Sequence, residues 1–498
     1  MIHIALIDLN TLTQLFSLDL ILVISAGVIF GILAGAIPGI SSSVAVALMI
    51  PFTYGLEPAA AILLLISVYL SSSYGGSISA IMINTPGTPG SIATTFDGYP
   101  LSQKGKPGLA LGIALISSTI GGIIGMVLLI LFSVPIAKFA LTFGPPEFFL
   151  LAILGLSIVS SISSENKIKG FLATFLGLAL ATVGSDPFTG YYRFTMKNAD
   201  LSDGFSLISV LIGLFAIGEI LIQIENYKFE TLKNIDFSNK FPNIKILSKI
   251  WKSILRSSII GTIIGAIPGA GGTVATFIAY DQEKKFSKIK DTFGKGNING
   301  IAAPEAANSS AVGGALIPLL TLGIPGSAST AILLGAFYIH GIVPGPQIFE
   351  TQTTLIHKIF LGVIIANFVM FLFGRFGNKY FIKVVNIPKP ILFAIIPSIA
   401  LIGSYSLNNS LFDVLMCIFF GIVGWAFKKV DIPLSSLILG FVLGDLVESN
   451  FRRTLLMGDL NLIYQRTTSL IIIFLMFSPL FYNVLKKLIR IFNNKKIT

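Results

Sequence analysis

Ser71-Ser72-Ser73-Tyr74-Gly75-Gly76-Ser77-Ile78-Ser79, with Asn84-Thr85-Pro86-Gly87-Thr88-Pro89-Gly90-Ser91 a few residues on, is the stretch that decides the fold. Its prolines and glycines forbid a continuous helix. Hydroxyls and an amide crowd the interruption, and the flanks stay apolar. Non-helical backbone is tolerated at membrane depth only where protein or a water-filled cavity satisfies its polar groups. Half-helices that begin at such a break offer N–H groups and a positive dipole end to an anion, while unwound carbonyls and hydroxyls suit a small cation.

The stretch is not unique. Gly31-Ile32-Leu33-Ala34-Gly35-Ala36-Ile37-Pro38-Gly39 matches Gly261-Thr262-Ile263-Ile264-Gly265-Ala266-Ile267-Pro268-Gly269, and Ser43-Val44-Ala45 matches Thr273-Val274-Ala275. At nearly the same offset Gly75-Gly76 lies opposite Gly313-Gly314, and Pro89-Gly90-Ser91 through Thr94 opposite Pro325-Gly326-Ser327 through Thr330. Two motif pairs in the same order read as an internal repeat. Four breaks paired in this way are the expected binding core of a secondary transporter. For substrate they supply Asn84, Thr85, Pro86, Gly87, Thr88 and Ser91 with Gly323, Pro325, Gly326 and Ser327. For a coupling ion they supply Gly39, Ser41, Ser42 and Ser43 with Gly269, Gly271 and Thr273, together with Glu305 and Asn308. The bland alternative is that glycine only permits close helix packing, the reading preferred for Gly27, Gly31 and Gly35 at four-residue spacing.

Composition sets the environment. Of 498 residues 54% are hydrophobic and 11% charged, with a mean hydropathy of +0.87. That is a polytopic membrane protein. A crossing needs about 20 mostly apolar residues, a length that 18–36, 109–134, 148–163, 205–224, 355–373 and 469–485 reach or approach. The expected fold is all-α, with about 12 transmembrane helices, inverted repeats and broken helical hairpins. The net charge of +11 would suggest nucleic acid in a soluble protein. Here the basic residues sit in short loops and at the C-terminus, as in cytoplasmic segments of membrane proteins, so the partner is a lipid bilayer and no nucleic acid is expected. Residues 1–14 lack the basic start of a cleavable signal peptide. The single cysteine, Cys417, excludes a disulfide framework and a cysteine metal cluster.

Charge also orients the halves. No Lys or Arg precedes Lys104, and Lys104 and Lys106 follow the second motif. In the second half the order reverses: Lys228 to Arg256 precede the first motif, Lys284 to Lys295 lie between the motifs, and nothing basic follows until Lys358. Equivalent points therefore fall on opposite sides of the membrane, as an inverted repeat requires. The expected organisation is a first repeat half over 1–225, a cytoplasmic linker 226–250, a second motif core 251–346, further helices 347–485 as accessory scaffold, and a basic cytoplasmic tail 486–498.

Tyr74-Gly75-Gly76-Ser77-Ile78, Asn84 to Gly90, Asp97-Gly98-Tyr99-Pro100 and Lys104-Gly105-Lys106 resemble the large membrane subunit of the tripartite tricarboxylate transporters, the TctA type. So do Ile267 to Thr273, Ala279-Tyr280-Asp281, Phe293-Gly294-Lys295-Gly296, Ala303-Pro304-Glu305-Ala306-Ala307-Asn308 and Thr321 to Ser327. The resemblance departs at Gly90, where a small residue such as Ala is common, and at the hydroxyl-rich Ser41-Ser42-Ser43. It implies ion-driven uptake of tricarboxylates such as citrate, or of related organic anions, across a bacterial inner membrane. It also implies that the hairpins are re-entrant, and it implies a small transmembrane subunit, a periplasmic solute-binding protein and an elevator-like motion. No catalytic residue and no cofactor are expected beyond a coupling Na+, and no phosphate-binding loop of the ATPase kind occurs.

Ionisable groups in apolar segments need partners. For Glu219 and Asp445 a partner, a cavity or an interface position is required. Asp281, leading into Gln282-Glu283-Lys284-Lys285, reads as a helix end. Glu305 admits helix capping, ion coordination (H+ included) or contact across a moving interface, and His340 a structural role or a proton relay. None of the seven arginines falls in the breaks, so substrate carboxylates are expected to meet N–H, Asn and hydroxyl groups with a bound cation, which favours Na+. A rival class, the intramembrane aspartyl protease, would use Asp281 and Asp445 as a proton-sharing pair. Val442 stands where that motif needs glycine.

Overall fold

The computed structural model describes residues 17–162, 166–227, 241–385, 387–458, 461–474 and 476. Residues 1–16, the linker segment 228–240, most of the apolar stretch 469–485 and the basic tail 486–498 lie outside the described residues. In the first half the helices are α1 (Leu18–Ala36), α2 (Ser42–Met49), α3 (Pro58–Ile83), α4 (Ile92–Gln103), α5 (Pro107–Ala140), α6 (Pro145–Ile162), α7 (Lys167–Ala181) and α8 (Leu207–Glu225). The remainder holds α9 (Ile244–Gly265), α10 (Gly271–Phe286), α11 (Ile298–Leu322), α12 (Ala328–Ile339), α13 (Thr353–Val384), α14 (Lys389–Asn408), α15 (Leu411–Lys429) and α16 (Leu434–Gly458). The β-structure among the described residues is one antiparallel pair, Gly184–Ser185 with Tyr192–Arg193. The protein is an all-α polytopic membrane protein. Among the described residues eight helices, α1, α3, α5, α8 and α13 to α16, are long and apolar enough to cross a membrane, against the dozen expected, and α2, α6 and α12 are shorter apolar helices.

Helices α3 and α11 form the centre, buried along nearly their whole lengths. Such burial requires neighbours that approach closely, and small residues permit it. Gly27, Gly31 and Gly35 of α1 lie on the backbone of Leu64, Val68 and Ser72 of α3, and Gly261 and Gly265 of α9 lie on Ala307 and Ala311 of α11. Gly121 and Gly125 of α5 close on Ala306 and Ser310. A Cβ on any of these would sit within 2.7 Å of a backbone atom. The packing reading of the glycines at four-residue spacing therefore holds, and it holds in both halves.

The halves meet head to tail. Lys104, just beyond α4, donates to the carbonyl of Lys295 in the loop between α10 and α11 at 2.5 Å. At the other pair of ends, Thr53 beyond α2 lies 2.9 Å from His340 Nε2 at the end of α12. The end of α4 thus meets the loop that follows α10, and the turn that follows α2 meets the end of α12. One of these faces carries Lys104, Lys106 and the lysines from 284 to 295; the other carries Thr53, Glu57 and His340.

Candidate functional site

The breaks at 84–91 and 323–330 follow one local plan, and the plan corrects the register read from sequence. Asn84 (φ 57°) and Gly323 (φ 70°) both cap their helices in the left-handed conformation, where glycine or asparagine is favoured. Ser91 Oγ donates to the Thr88 carbonyl at 2.8 Å and accepts from the Thr88 N–H at 3.4 Å. Thr330 Oγ1 does the same to Ser327, at 2.9 and 2.7 Å. Gly87 approaches the carbonyl of Gly35 and Gly326 that of Gly265, residues already paired by the repeat. The equivalent of Pro325-Gly326-Ser327 is therefore Pro86-Gly87-Thr88, three residues earlier than the expected Pro89-Gly90-Ser91. Because the sequence reads Pro-Gly-Thr-Pro-Gly-Ser, residue identity cannot choose between the two registers; the hydrogen bonds can.

The breaks converge on one cavity of ≈ 210 Å³. Ser41, Ser42 and Ser43 open α2 at its wall, Thr88, Pro89 and Gly90 open the turn into α4, Gly269 to Thr273 open α10, and Ser327 to Ser329 open α12. Four helix N-termini, two from each repeat, therefore face the same space. The first N–H groups of a helix have no intrahelical partner, and each N-terminus carries roughly half a positive charge. Together they present on the order of two positive charges without one basic side chain; every lining residue is uncharged. Ser41 Oγ takes the N–H of Val44 at 3.3 Å and lies 2.9 Å from Ser43 Oγ. Thr88 Oγ1 is buried with no partner. A buried hydroxyl without a hydrogen bond costs roughly 1–3 kcal/mol.

Asn308 joins the two repeats at the wall. A Cβ on Gly90 would lie 2.2 Å from Asn308 Oδ1, and one on Gly272 2.7 Å from the same atom. The side-chain amide of Asn308 is wedged between two helix N-termini that both need glycine there.

Of the expected residues, Thr88, Ser327, Ser41, Ser42, Ser43, Gly269, Gly271, Thr273 and Asn308 line the cavity. Asn84, Thr85, Pro86, Gly87, Ser91, Gly323, Pro325, Gly326 and Gly39 do not; they shape the turns behind it. Asn84 and Thr85 are exposed, and Gly39 accepts Gln223 Nε2 on its carbonyl at 2.9 Å. Glu305 is fully buried one turn before Asn308 and is also absent from the wall. Tyr69, Ser73, Ser329 and Ser435 line the cavity without having been singled out. Tyr69, Ser73 and Ser77 form a polar stripe at four-residue spacing on the apolar helix α3, a signal available in the sequence. Ser435 and Leu439 sit on α16, within the helices expected to be accessory scaffold; no local feature marks them.

Three of the acids singled out in or beside apolar segments find partners. Glu219 is paired with Lys428. Asp97 accepts from the N–H groups of Gly296 and Asn297 at 2.8 and 2.7 Å and from Tyr280 Oη at 2.9 Å, pinning α4 to the start of α11. Asp281 forms a surface pair with Lys285 at 2.5 Å, as the helix-end reading anticipates. Asp445 lines a separate cavity with Arg193 and Tyr338, so the two aspartates sit in different surroundings and the proton-sharing chemistry of a protease has no basis here.

Residues 21–439 match the model of the tripartite tricarboxylate transporter TctA family. A relative from Agrobacterium vitis, an uncharacterized 52.8 kDa protein of the TAR-I ttuC′ 3′ region, is 36% identical over 442 residues, 87% of this chain and 86% of that protein. A second, from the TAR-II ttuC′ 3′ region of Agrobacterium vitis, is 40% identical over 198 residues, 40% of this chain and 82% of that protein. No solved structure matches the chain. With a match over most of its length, and with transport rather than catalysis as the family's work, this chain belongs to the tripartite tricarboxylate transporter TctA family.

Proposed function

We propose that the chain is the membrane-embedded translocation subunit of an importer that takes up tricarboxylates such as citrate, or related organic anions, driven by an ion gradient with Na+ as the coupling ion. A small transmembrane subunit completes it and a periplasmic solute-binding protein delivers the anion. The location is a bacterial inner membrane, with the lysine-rich face towards the cytoplasm.

The observation that carries this reading is the convergence of four helix N-termini on an uncharged, hydroxyl-rich cavity. A carboxylate there meets N–H groups and hydroxyls rather than an arginine clamp. The roughly two positive charges of the helix ends fall short of a trianion, and a co-bound cation makes up the difference. That both repeats contribute two helix starts to the one cavity supports alternating access by an elevator-like motion of the hairpins.

The test is uptake by the reconstituted three-protein system from a mixture of di- and tricarboxylates, with and without an imposed Na+ gradient. Gradient-dependent accumulation of a carboxylate is expected. Uptake that ignores the Na+ gradient and follows a proton gradient would overturn the choice of ion, and failure to accumulate any carboxylate would overturn the substrate class.

A further inference from the structure

We propose that Glu305 and the hydroxyls around it form an internal Na+ site, separate from the cavity that takes the anion. The proposal rests on the ion-driven reading above and names the place where the ion acts. Glu305 is 0% exposed. Its Oε1 accepts from Ser77 Oγ at 2.5 Å and from Thr94 Oγ1, and its Oε2 accepts from Ser118 Oγ at 2.8 Å. The three hydroxyls come from α3, α4 and α5, so four helices meet at one carboxylate. Among the described residues no lysine, arginine or histidine forms an ion pair with it.

Hydroxyl dipoles stabilise a carboxylate but add no charge, and a charge taken out of water needs an opposite one. The chain supplies none at this place. Two carboxylate oxygens and three hydroxyl oxygens make an all-oxygen donor set, the chemistry that hard cations choose. One negative charge is balanced by a monovalent cation and over-compensated by a divalent one.

The placement also supplies coupling. Asn308, one helical turn from Glu305, lines the anion cavity, and Thr94 lies on the half-helix that begins beside Thr88 and Gly90. An ion that gathers Ser77, Thr94 and Ser118 onto Glu305 holds α4 against α11 and thereby seats Gly90 on Asn308. The three hydroxyls already hold on to Glu305 directly, so an ion entering the cluster has to share these oxygens and acts on the same clamp. Anion affinity then depends on the ion although the two never touch, and by linkage the ion's affinity depends on the anion to the same extent.

The experiment measures thermal stabilisation of the purified full chain by Na+ at constant ionic strength, with choline as the replacement ion, alongside gradient-driven uptake by the reconstituted complex. Wild type should be stabilised by Na+. Glu305→Gln, which keeps the shape and removes the charge, and Thr94→Val should each raise the half-saturating Na+ concentration by about tenfold or more, in keeping with loss of a charged or direct ligand. Should Glu305→Gln fail to accumulate, Ser118→Ala, which keeps the acid and removes one oxygen, is expected to raise it several-fold. If the Na+ gradient drives uptake and these variants leave the half-saturating concentration unchanged, the site is overturned and the ion-driven reading stands. If wild type is stabilised by lowered pH in place of Na+, the cage holds a proton and the Na+ site is overturned. If wild type responds to Na+ in neither assay, both fall.

Discussion

Tyr69 Oη lies 3.2 Å from Ser327 Oγ. The contact links the central helix of one repeat to the residue that opens α12 in the other, at the wall of the anion cavity. Ser327 Oγ also takes the N–H of Thr330 at 3.3 Å, so removing the phenol does not strand it. Tyr69→Phe should therefore cost only about 1 kcal/mol of stability while lowering the apparent affinity for the anion several-fold. Uptake kinetics and a thermal melt on the same preparation separate the two effects.

Gly90→Ala puts a methyl group 2.2 Å from Asn308 Oδ1, a distance that forces the amide or the α4 break to move. Transport should fall about tenfold or more, equivalent to roughly 1.4 kcal/mol, with the protein still present in the membrane. Gly105→Ala is a weaker comparison for space alone, since no atom lies within 4 Å of its Cβ position, but its φ of +73° adds strain. Uptake normalised to membrane protein is the measurement, and a Gly90→Ala variant at wild-type rates would remove Asn308 from the site.

Asp97 is a strut. Its carboxylate takes two N–H groups and a phenol, and an amide replacement offers one acceptor oxygen where two are used. Asp97→Asn should lower thermal stability by roughly 1–3 kcal/mol, with the KM for anion unchanged in the protein that folds. A raised KM at unchanged stability would place Asp97 in the transport cycle and not in the framework.

The loop between α7 and α8 is held by acid-sensitive contacts. The N–H of Phe188, then Arg452 and the N–H of Thr189, pull the Asp186 carboxyl from 3.8 down to about 2 in spite of the burial that opposes them. A carboxyl lowered on folding contributes its stabilisation fully above its unfolded value and loses it as the pH falls through the folded one. The melting difference between wild type and Asp186→Asn should be constant above about pH 5 and should close as the pH falls from 4 towards 2. A difference that persists unchanged at the acid end would show that the loop is held by other contacts.

Much of this was legible in the sequence for a definite reason. A Pro-Gly break between apolar flanks has few physical outcomes at membrane depth, and two such breaks repeated in order identify the core of the chain. Thr88, Ser327 and Ser41 to Ser43 were found that way. What escaped depended on register and on distance along the chain. Pro86-Gly87-Thr88 and Pro89-Gly90-Ser91 are interchangeable as letters, and only the hydrogen bonds of Ser91 and Thr330 distinguish them. Glu305 and Asn308 were grouped as neighbours in one motif, with helix capping open for Glu305; the acid lies inside α11, not at its start, and the two face different neighbours: hydroxyls of α3, α4 and α5 for the acid, glycines of two helix starts for the amide. Ser435 reaches the cavity from α16 through tertiary packing alone.

The most direct test of the central claim uses the single cysteine. Cys417 is buried in α15, so a Cys417→Ala background carrying Ser329→Cys presents one thiol, on the cavity wall. Its reaction rate with a charged methanethiosulfonate reagent should fall several-fold when the transported carboxylate is added, and recover when the carboxylate is withdrawn. A rate unaffected by carboxylate at concentrations that saturate uptake would place the anion elsewhere and contradict the account.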